Sequence, residues 1–155
     1  MDTSPAAIEM RLAAFRQRCG ALGLALTPQR LAIYQVLAGD ASHPGAEDIY
    51  RRIKPGMPSL SLGTVYRTLE LFEEHGLISR LHAFSDQSRF DANLDDHHHL
   101  VCVRCRRIID FQDDRLRELP VEPASLDGFQ VLGHRIHLVG LCAECQPEHS
   151  PAARS

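Results

Sequence analysis

The sequence lacks any apolar run long enough to cross a bilayer. Its opening residues, MDTSPAAIEM, hold no basic stretch followed by an apolar one, so no secretory leader is expected. A positive balance is missing too. At a formal net charge of −3, the 155 residues do not make a polycation that could coat nucleic acid over its whole surface. No His-Glu-x-x-His stretch occurs, and no His-x-Glu precedes a Pro-Cys-x-x-Cys, which removes the common frames of zinc proteases and zinc deaminases. These absences lead to the expectation of a cytoplasmic, non-enzymatic protein without a membrane partner. A hydrophobic share of 44% with 24% charged residues is ordinary globular chemistry, and the length suits one or two small domains.

What the chain does have is two Cys-x-x-Cys pairs, Cys102/Cys105 and Cys142/Cys145, with thirty-six residues between them. One pair alone could be a redox dithiol. Two pairs flanked by strand-like apolar residues suit a closed tetrahedral zinc site better. The fifth cysteine, Cys19, sits on an apolar helical stripe and reads as a small buried side chain. Just before the first pair stands Asp96-His97-His98-His99, which reads as a strand running into Cys102. Alternation along a strand puts His97 and His99 on one face and Asp96 and His98 on the other, so a short segment can serve two metal sites. Charge is uneven as well. Residues 1–90 carry ten Lys/Arg against nine Asp/Glu, and residues 91–155 carry seven against eleven. That split suits a nucleic-acid reader joined to a cation binder.

The first half has the periodicity of helices. Ile8, Leu12, Phe15, Cys19 and Leu22 repeat at helical spacing from Ala6 to Leu22, and Gly23 ends the run. Thr27-Pro28 opens a second helix that stops at Gly39. A third runs from Pro44 to about Ile53, with Glu47 and Asp48 near its start. Ser61 caps a fourth, striped by Val65, Leu69 and Phe72 and closed by Gly76. Extended runs at Leu77–Phe84 and Ser88–Asp91 flank a turn at Ser85-Asp86-Gln87. Four helices and a hairpin make a winged helix-turn-helix, with Thr64, Tyr66 and Arg67 near the N-terminal end of the recognition helix, where base edges and phosphates are met. Beyond His99, strands are expected at Arg107–Phe111 and Phe129–Leu141, with a short helix at Asp113–Leu119 between them. The whole is an α+β fold. Its expected domains are a DNA-binding domain over residues 1–90, a metal-binding domain over 91–146 and a flexible tail over 147–155.

Thr27-Pro28-Gln29-Arg30, His43-Pro44 with Glu47-Asp48-Ile49-Tyr50, Ser61 to Arg67, Arg89-Phe90-Asp91, His97-His98-His99 and the four cysteines occur in an order that resembles the ferric uptake regulator (Fur) family of bacterial metal-dependent repressors. The resemblance covers nearly the whole chain. It implies a winged-helix domain hinged to an α/β dimerisation domain, and a homodimer on a palindromic duplex operator. It implies structural Zn2+ at Cys102, Cys105, Cys142 and Cys145. It further implies a regulatory site of His43, Asp91, His97, His99 and Asp110, and DNA contacts from Arg30, Ser61, Thr64, Tyr66 and Arg67. Histidines with carboxylates suit Fe2+ or Mn2+ at the regulatory site, with Zn2+ as a tighter-binding competitor. Aspartate at 91 and 110, where many iron sensors carry glutamate at the hinge, is similar to the peroxide-responsive (PerR) branch. Iron-catalysed oxidation of His43 or His97 is the expected signal there. The alternatives are an iron- or zinc-uptake repressor without peroxide chemistry and, more remotely, a zinc-ribbon adaptor that binds protein. Asp96, His98 and His134, in competition for Asp110, make a candidate second site, and His137 falls on the other face from His134 and reads as structural. Two departures stand out: Arg106-Arg107 follow the first knuckle where glycine is usual, and Pro120 and Pro123 shorten the helix expected at the dimer interface.

Overall fold

Hydroxyl side chains start three of the four helices in the computed structural model, which describes residues 2–81, 88–116, 127–128, 130 and 134–146. Helix α1 (Pro5–Ala21) is capped by Ser4, whose hydroxyl accepts from the Ala7 N–H. Thr27 does the same for α2 (Pro28–Ala38) through the Arg30 N–H, and Ser61 for α4 (Leu62–Glu74) through the Thr64 N–H. Proline at the first position of α1 and α2 removes a donor that no intrahelical acceptor would meet. Gly23 and Gly76, at φ +67 and +61, reverse the chain after α1 and α4. In each case two N–H groups fold back on the last turn: Gly23 to Gly20 and Leu24 to Cys19, Gly76 to Glu73 and Leu77 to Phe72.

Helix α3 (Ala46–Ile53) begins two residues later than the sequence suggests. His43 precedes a proline, which disfavours the right-handed helical region for it, and it takes φ +56. Gly45 becomes the N-cap, and the Asp48 carboxylate accepts its N–H at 3.2 Å. Strands β1 (Ser79–Leu81) and β2 (Arg89–Asp91) pair antiparallel with Ser79 opposite Asp91. Four helices followed by this hairpin form the winged helix-turn-helix. The expected turn at residues 85–87 lies outside the described residues, as do His82, His149, Pro120 and Pro123. By internal packing the chain divides into two units, Met1–Asp95 and Asp96–Ser155, so Asp91 and Ala92 stay with the helices.

The first unit is held by one apolar cluster. Phe15 of α1 stacks on Tyr34 of α2 at 3.8 Å between centroids and meets Phe72 of α4 edge-on at 5.1 Å. Ile33, Leu37, Ile49, Leu60, Val65 and Leu69 close around these rings, and Cys19 is buried among them, as its place on the stripe suggests.

In the second unit β3 (His98–Cys102) is central. It pairs antiparallel with β4 (Ile108–Phe111) and parallel with β5 (His137–Gly140). Of the helix expected at 113–119, the described part is a single 3-10 turn, Asp114–Leu116. Of the strand expected at 129–141, the described strand is β5 alone. No helix among the described residues is long and apolar enough to cross a membrane.

Truncating the stacked ring at the centre of the helical cluster, Phe15→Ala, is expected to destabilise the first unit by about 3–5 kcal/mol. Denaturant unfolding followed by far-UV circular dichroism reads this as a lower midpoint.

Candidate metal centres

The cysteine knuckles are two copies of one turn. The N–H of Arg106 donates to the Cys102 carbonyl, and the N–H of Gln146 donates to the Cys142 carbonyl, each at 3.0 Å. The first copy carries arginine at φ +63, the left-handed position that the sequence places there in lieu of glycine. The knuckles are tied to each other. Arg104 donates to the Cys145 carbonyl at 2.8 Å, and Arg107 pairs with Glu144 at 3.1 Å. The four Sγ atoms lie within 4.8 Å of one another, with Cys105 and Cys142 at 3.6 Å. Four thiolates around Zn2+ with 2.3 Å bonds stand about 3.8 Å apart, so the arrangement fits that ion.

The protein environment prepares the thiols unequally. Backbone N–H groups, first that of Cys142, pull the Cys102 thiol down to about 6, while burial pushes the Cys145 thiol up to about 12. Four neighbouring thiolates repel, and a dication is what offsets that repulsion.

A second set of donors is divided by the unit boundary. In the first unit, β2 builds its share residue by residue. The Arg89 guanidinium reaches the His43 carbonyl and the Asp48 carboxylate, at 3.5 and 3.4 Å. The Phe90 N–H donates to the Pro44 carbonyl, and its ring enters the core. The Asp91 carboxylate then stands 3.6 Å from His43 Nε2, with both side chains buried. The left-handed backbone at His43 and the Asn93 N–H donated to Asp91 at 2.7 Å help set these two groups. In the second unit, His97 and His99 face one way and bring their Nε2 atoms to 3.0 Å. Asp110, opposite His99 on β4, puts Oδ1 at 3.8 Å from His99 Nε2 and 3.9 Å from His97 Nε2. Donors on one ion with bonds of 2.0–2.2 Å lie about 3–3.6 Å apart; the two imidazoles meet that spacing and the Asp110 carboxylate stands a few tenths of an ångström outside it, so the trio approximates part of a coordination shell of mixed nitrogen and oxygen.

The remaining candidates separate. His98 points away from His97 and His99, stacking on His134 at 5.8 Å and lying against Phe111. Burial lowers its pKa. Its Nδ1 meets the Ile136 N–H, and His134 Nε2 lies 2.5 Å from the Leu116 carbonyl. Asp96 is exposed, with its carbonyl accepting from Gln112. Among the described residues these three do not converge. His75 caps α4, with Nδ1 against the Leu71 carbonyl. His137, set aside in the sequence as structural, lies beside His99. The two are in register on β3 and β5, with ring centroids 5.2 Å apart. Burial lowers the His137 pKa and favours its neutral form. Its place depends on a strand register that no local pattern encodes.

On α4, Tyr66 and Arg67 are exposed. Ser61 and Thr64 share a hydroxyl contact at 2.8 Å, with Arg67 at 3.5 Å from Thr64. Arg30 spends one guanidinium N–H on the Ala25 carbonyl at 2.7 Å.

Comparison with known proteins places these groups in context. A family model described as "Ferric uptake regulator family" matches residues 21–139. The peroxide-responsive repressor PerR of Staphylococcus aureus is 36% identical over 139 residues, covering 90% of this chain and 91% of that protein. The Helicobacter pylori ferric uptake regulator Fur, whose structure is described as having three functional metal-binding sites, aligns with a TM-score of 0.74 at 27% identity, over 92% of this chain and 96% of that one. PerR from Streptococcus pyogenes aligns with a TM-score of 0.52 at 27% identity, over 88% and 93%.

Replacing one knuckle thiol, Cys142→Ser, is expected to cost the chain its tightly held zinc. A chromophoric chelator assay after exhaustive dialysis should find one zinc per chain in the parent and less than one in the variant, together with loss of ordered signal from the β4-β3-β5 unit.

Proposed function

Because the chain belongs to the ferric uptake regulator family, and so is a metal-responsive repressor, we propose that it senses peroxide through a metal site assembled from both units. The observation that carries this is the donor chemistry. His43 with Asp91 in one unit, and His97 and His99 with Asp110 in the other, are two buried and individually incomplete shells whose carboxylates are both aspartate. The proposed site joins all five residues.

An ion such as Fe2+ or Mn2+, held by these residues, would link the two shells, and Fe2+ would catalyse the oxidation of a ring by peroxide, its electron returning as the ring is oxidised. The protein's own groups do the rest. Asp91 and Asp110 add hard oxygen donors that suit these ions better than an all-imidazole set would. His43 and Asp91 are fixed by β2 and the left-handed turn, and His97, His99 and Asp110 by the sheet. Holding both sets at once fixes the presentation of α4, with Tyr66 and Arg67 toward a duplex and Arg30, Ser61 and Thr64 adding contacts. Affinity for the ion and affinity for the operator are therefore coupled reciprocally. When peroxide arrives, an imidazole carbon of His43 or His97 takes one oxygen and water is the other product. The altered ring is a poorer ligand, and the operator is released.

The structural Zn2+ is assigned to Cys102, Cys105, Cys142 and Cys145. A palindromic operator calls for a homodimer, and the second unit offers a face for it. Ile109, Leu100 and Leu138 form a cross-strand row, each more than 40% exposed, on the opposite side of the sheet from Asp110, His99 and His137. A further site at Asp96, His98 and His134 would require His134 to leave the Leu116 carbonyl. The protein would act in the cytoplasm, where its operator is. A second reading, repression by iron or zinc itself without peroxide chemistry, draws support from the higher TM-score to Fur than to PerR.

Gel shifts with Mn2+, Fe2+ and Zn2+, each with and without peroxide, separate the readings. The expected result is DNA retention with Fe2+ that peroxide abolishes, retention with Mn2+ that peroxide spares, and one added oxygen on a His43 or His97 peptide by mass spectrometry. Unmodified histidines after Fe2+ and peroxide would leave the metal-only repressor standing. His97→Ala should abolish metal-dependent binding. Arg67→Ala should weaken duplex binding by about 1–3 kcal/mol with the circular dichroism spectrum unchanged.

A further inference from the structure

Asp110, His99 and His137 stand in one row across the sheet of the second unit, because His99 is in register with both of its neighbours. Paired positions on adjacent strands share a face, with Cβ atoms about 5 Å apart. His137 meets His99 edge-to-face, with centroids 5.2 Å apart and planes at 85°, and His99 meets His97 in the same way at 4.6 Å. One face of one sheet therefore gathers three imidazoles and a carboxylate.

We propose that His97, His99, Asp110 and His137 form a zinc site complete within the second unit, without His43 or Asp91. Three of the four donors already lie 3.0 to 3.9 Å apart. The fourth is half-buried, and strand pairing fixes its Cα beside that of His99. Rotation about its two side-chain torsions is the movement the site needs. Three imidazoles and one carboxylate make a four-coordinate set of borderline softness, which suits Zn2+, whereas Mn2+ and Fe2+ favour more donors and harder ones. Zn2+ satisfied in this way does not engage the first unit. His137 thus lets the sensor half take up zinc without transmitting it to DNA. The site stands independently of the repressor reading, and only this last consequence rests on it.

Co2+, which reports coordination through its visible absorption, is titrated into full-length protein whose cysteine site already holds zinc. The double variant His43→Ala/Asp91→Ala should still bind one Co2+ per chain with the intense bands of a tetrahedral, thiolate-free site. Adding His137→Ala, or the more conservative His137→Gln, should weaken that binding at least about tenfold and diminish the bands. Unchanged cysteine-bound zinc shows that the second unit remains folded. Failure of the double variant to bind Co2+, or equal binding with and without His137, overturns the proposal. In a parallel arm, His137→Ala in the otherwise unaltered chain should let Zn2+ promote DNA binding as Mn2+ does. If no metal promotes DNA binding in any variant, the repressor reading fails while the Co2+ titration still judges the site.

Discussion

The pairing of β3 with a strand on each side is the constraint on which the second unit depends. A strand of five residues carries His98 and His99 at one end and Cys102 at the other, and His97 immediately precedes it. Both candidate centres therefore hang on one short backbone. Its antiparallel partner supplies Asp110, and its parallel partner leads into the second knuckle. A slip of one residue in either pairing would move that partner's donor to the opposite face from His99. The period of two, combined with pairing on both edges, also gives the sheet two chemically different sides: one row of Asp110, His99 and His137, and the next of Ile109, Leu100 and Leu138. The same register that gathers metal donors leaves an apolar strip exposed behind them.

The first unit reaches its two donors by different means. His43 lies in no regular element. Proline after it disfavours the right-handed helical conformation, and the left-handed one it adopts costs about 1–2 kcal/mol. That strain persists because the surroundings hold it: Phe90 binds the Pro44 carbonyl, and Arg89 spans the His43 carbonyl and Asp48. Three consecutive residues of β2 thus divide the work, with Arg89 clamping the turn, Phe90 anchoring the strand in the core and Asp91 facing His43. Strain at a buried, ligand-capable residue is characteristic of a site shaped for binding rather than for stability.

Much of this was legible before any coordinates. Helix starts at Thr27 and Ser61 follow from hydroxyl caps and the proline after Thr27, and the ends at Gly23 and Gly76 from glycine's access to positive φ, whereas the Ser4 cap of α1 emerges only in the structure. Alternation alone separates His97 and His99 from His98, as their rings do in space. The start of α3 was misjudged by two residues because Pro44 resembles a first helical residue, whereas Gly45 takes the cap. That His137 lies beside His99 was not legible at all. Its relation to His99 is a parallel pairing across thirty-eight positions of sequence, and nothing local to either residue encodes which rung they share. The side of a strand that a residue occupies can be read from sequence, but its neighbour on the next strand cannot.

A sensor whose donors are divided between two units differs in kind from one that binds its ion in a single preformed cage. An ion satisfied by one unit has no differential interaction with the orientations the two units can take, so it cannot bias them however tightly it binds. An ion that needs donors from both must favour the orientation in which both are available. The number and hardness of ligands an ion demands then decide whether its arrival carries information. Under the proposed scheme, selectivity in this chain comes less from affinity than from which shell each ion can complete, with His137 on one side and His43 with Asp91 on the other as the competing ways of finishing the core of His97, His99 and Asp110.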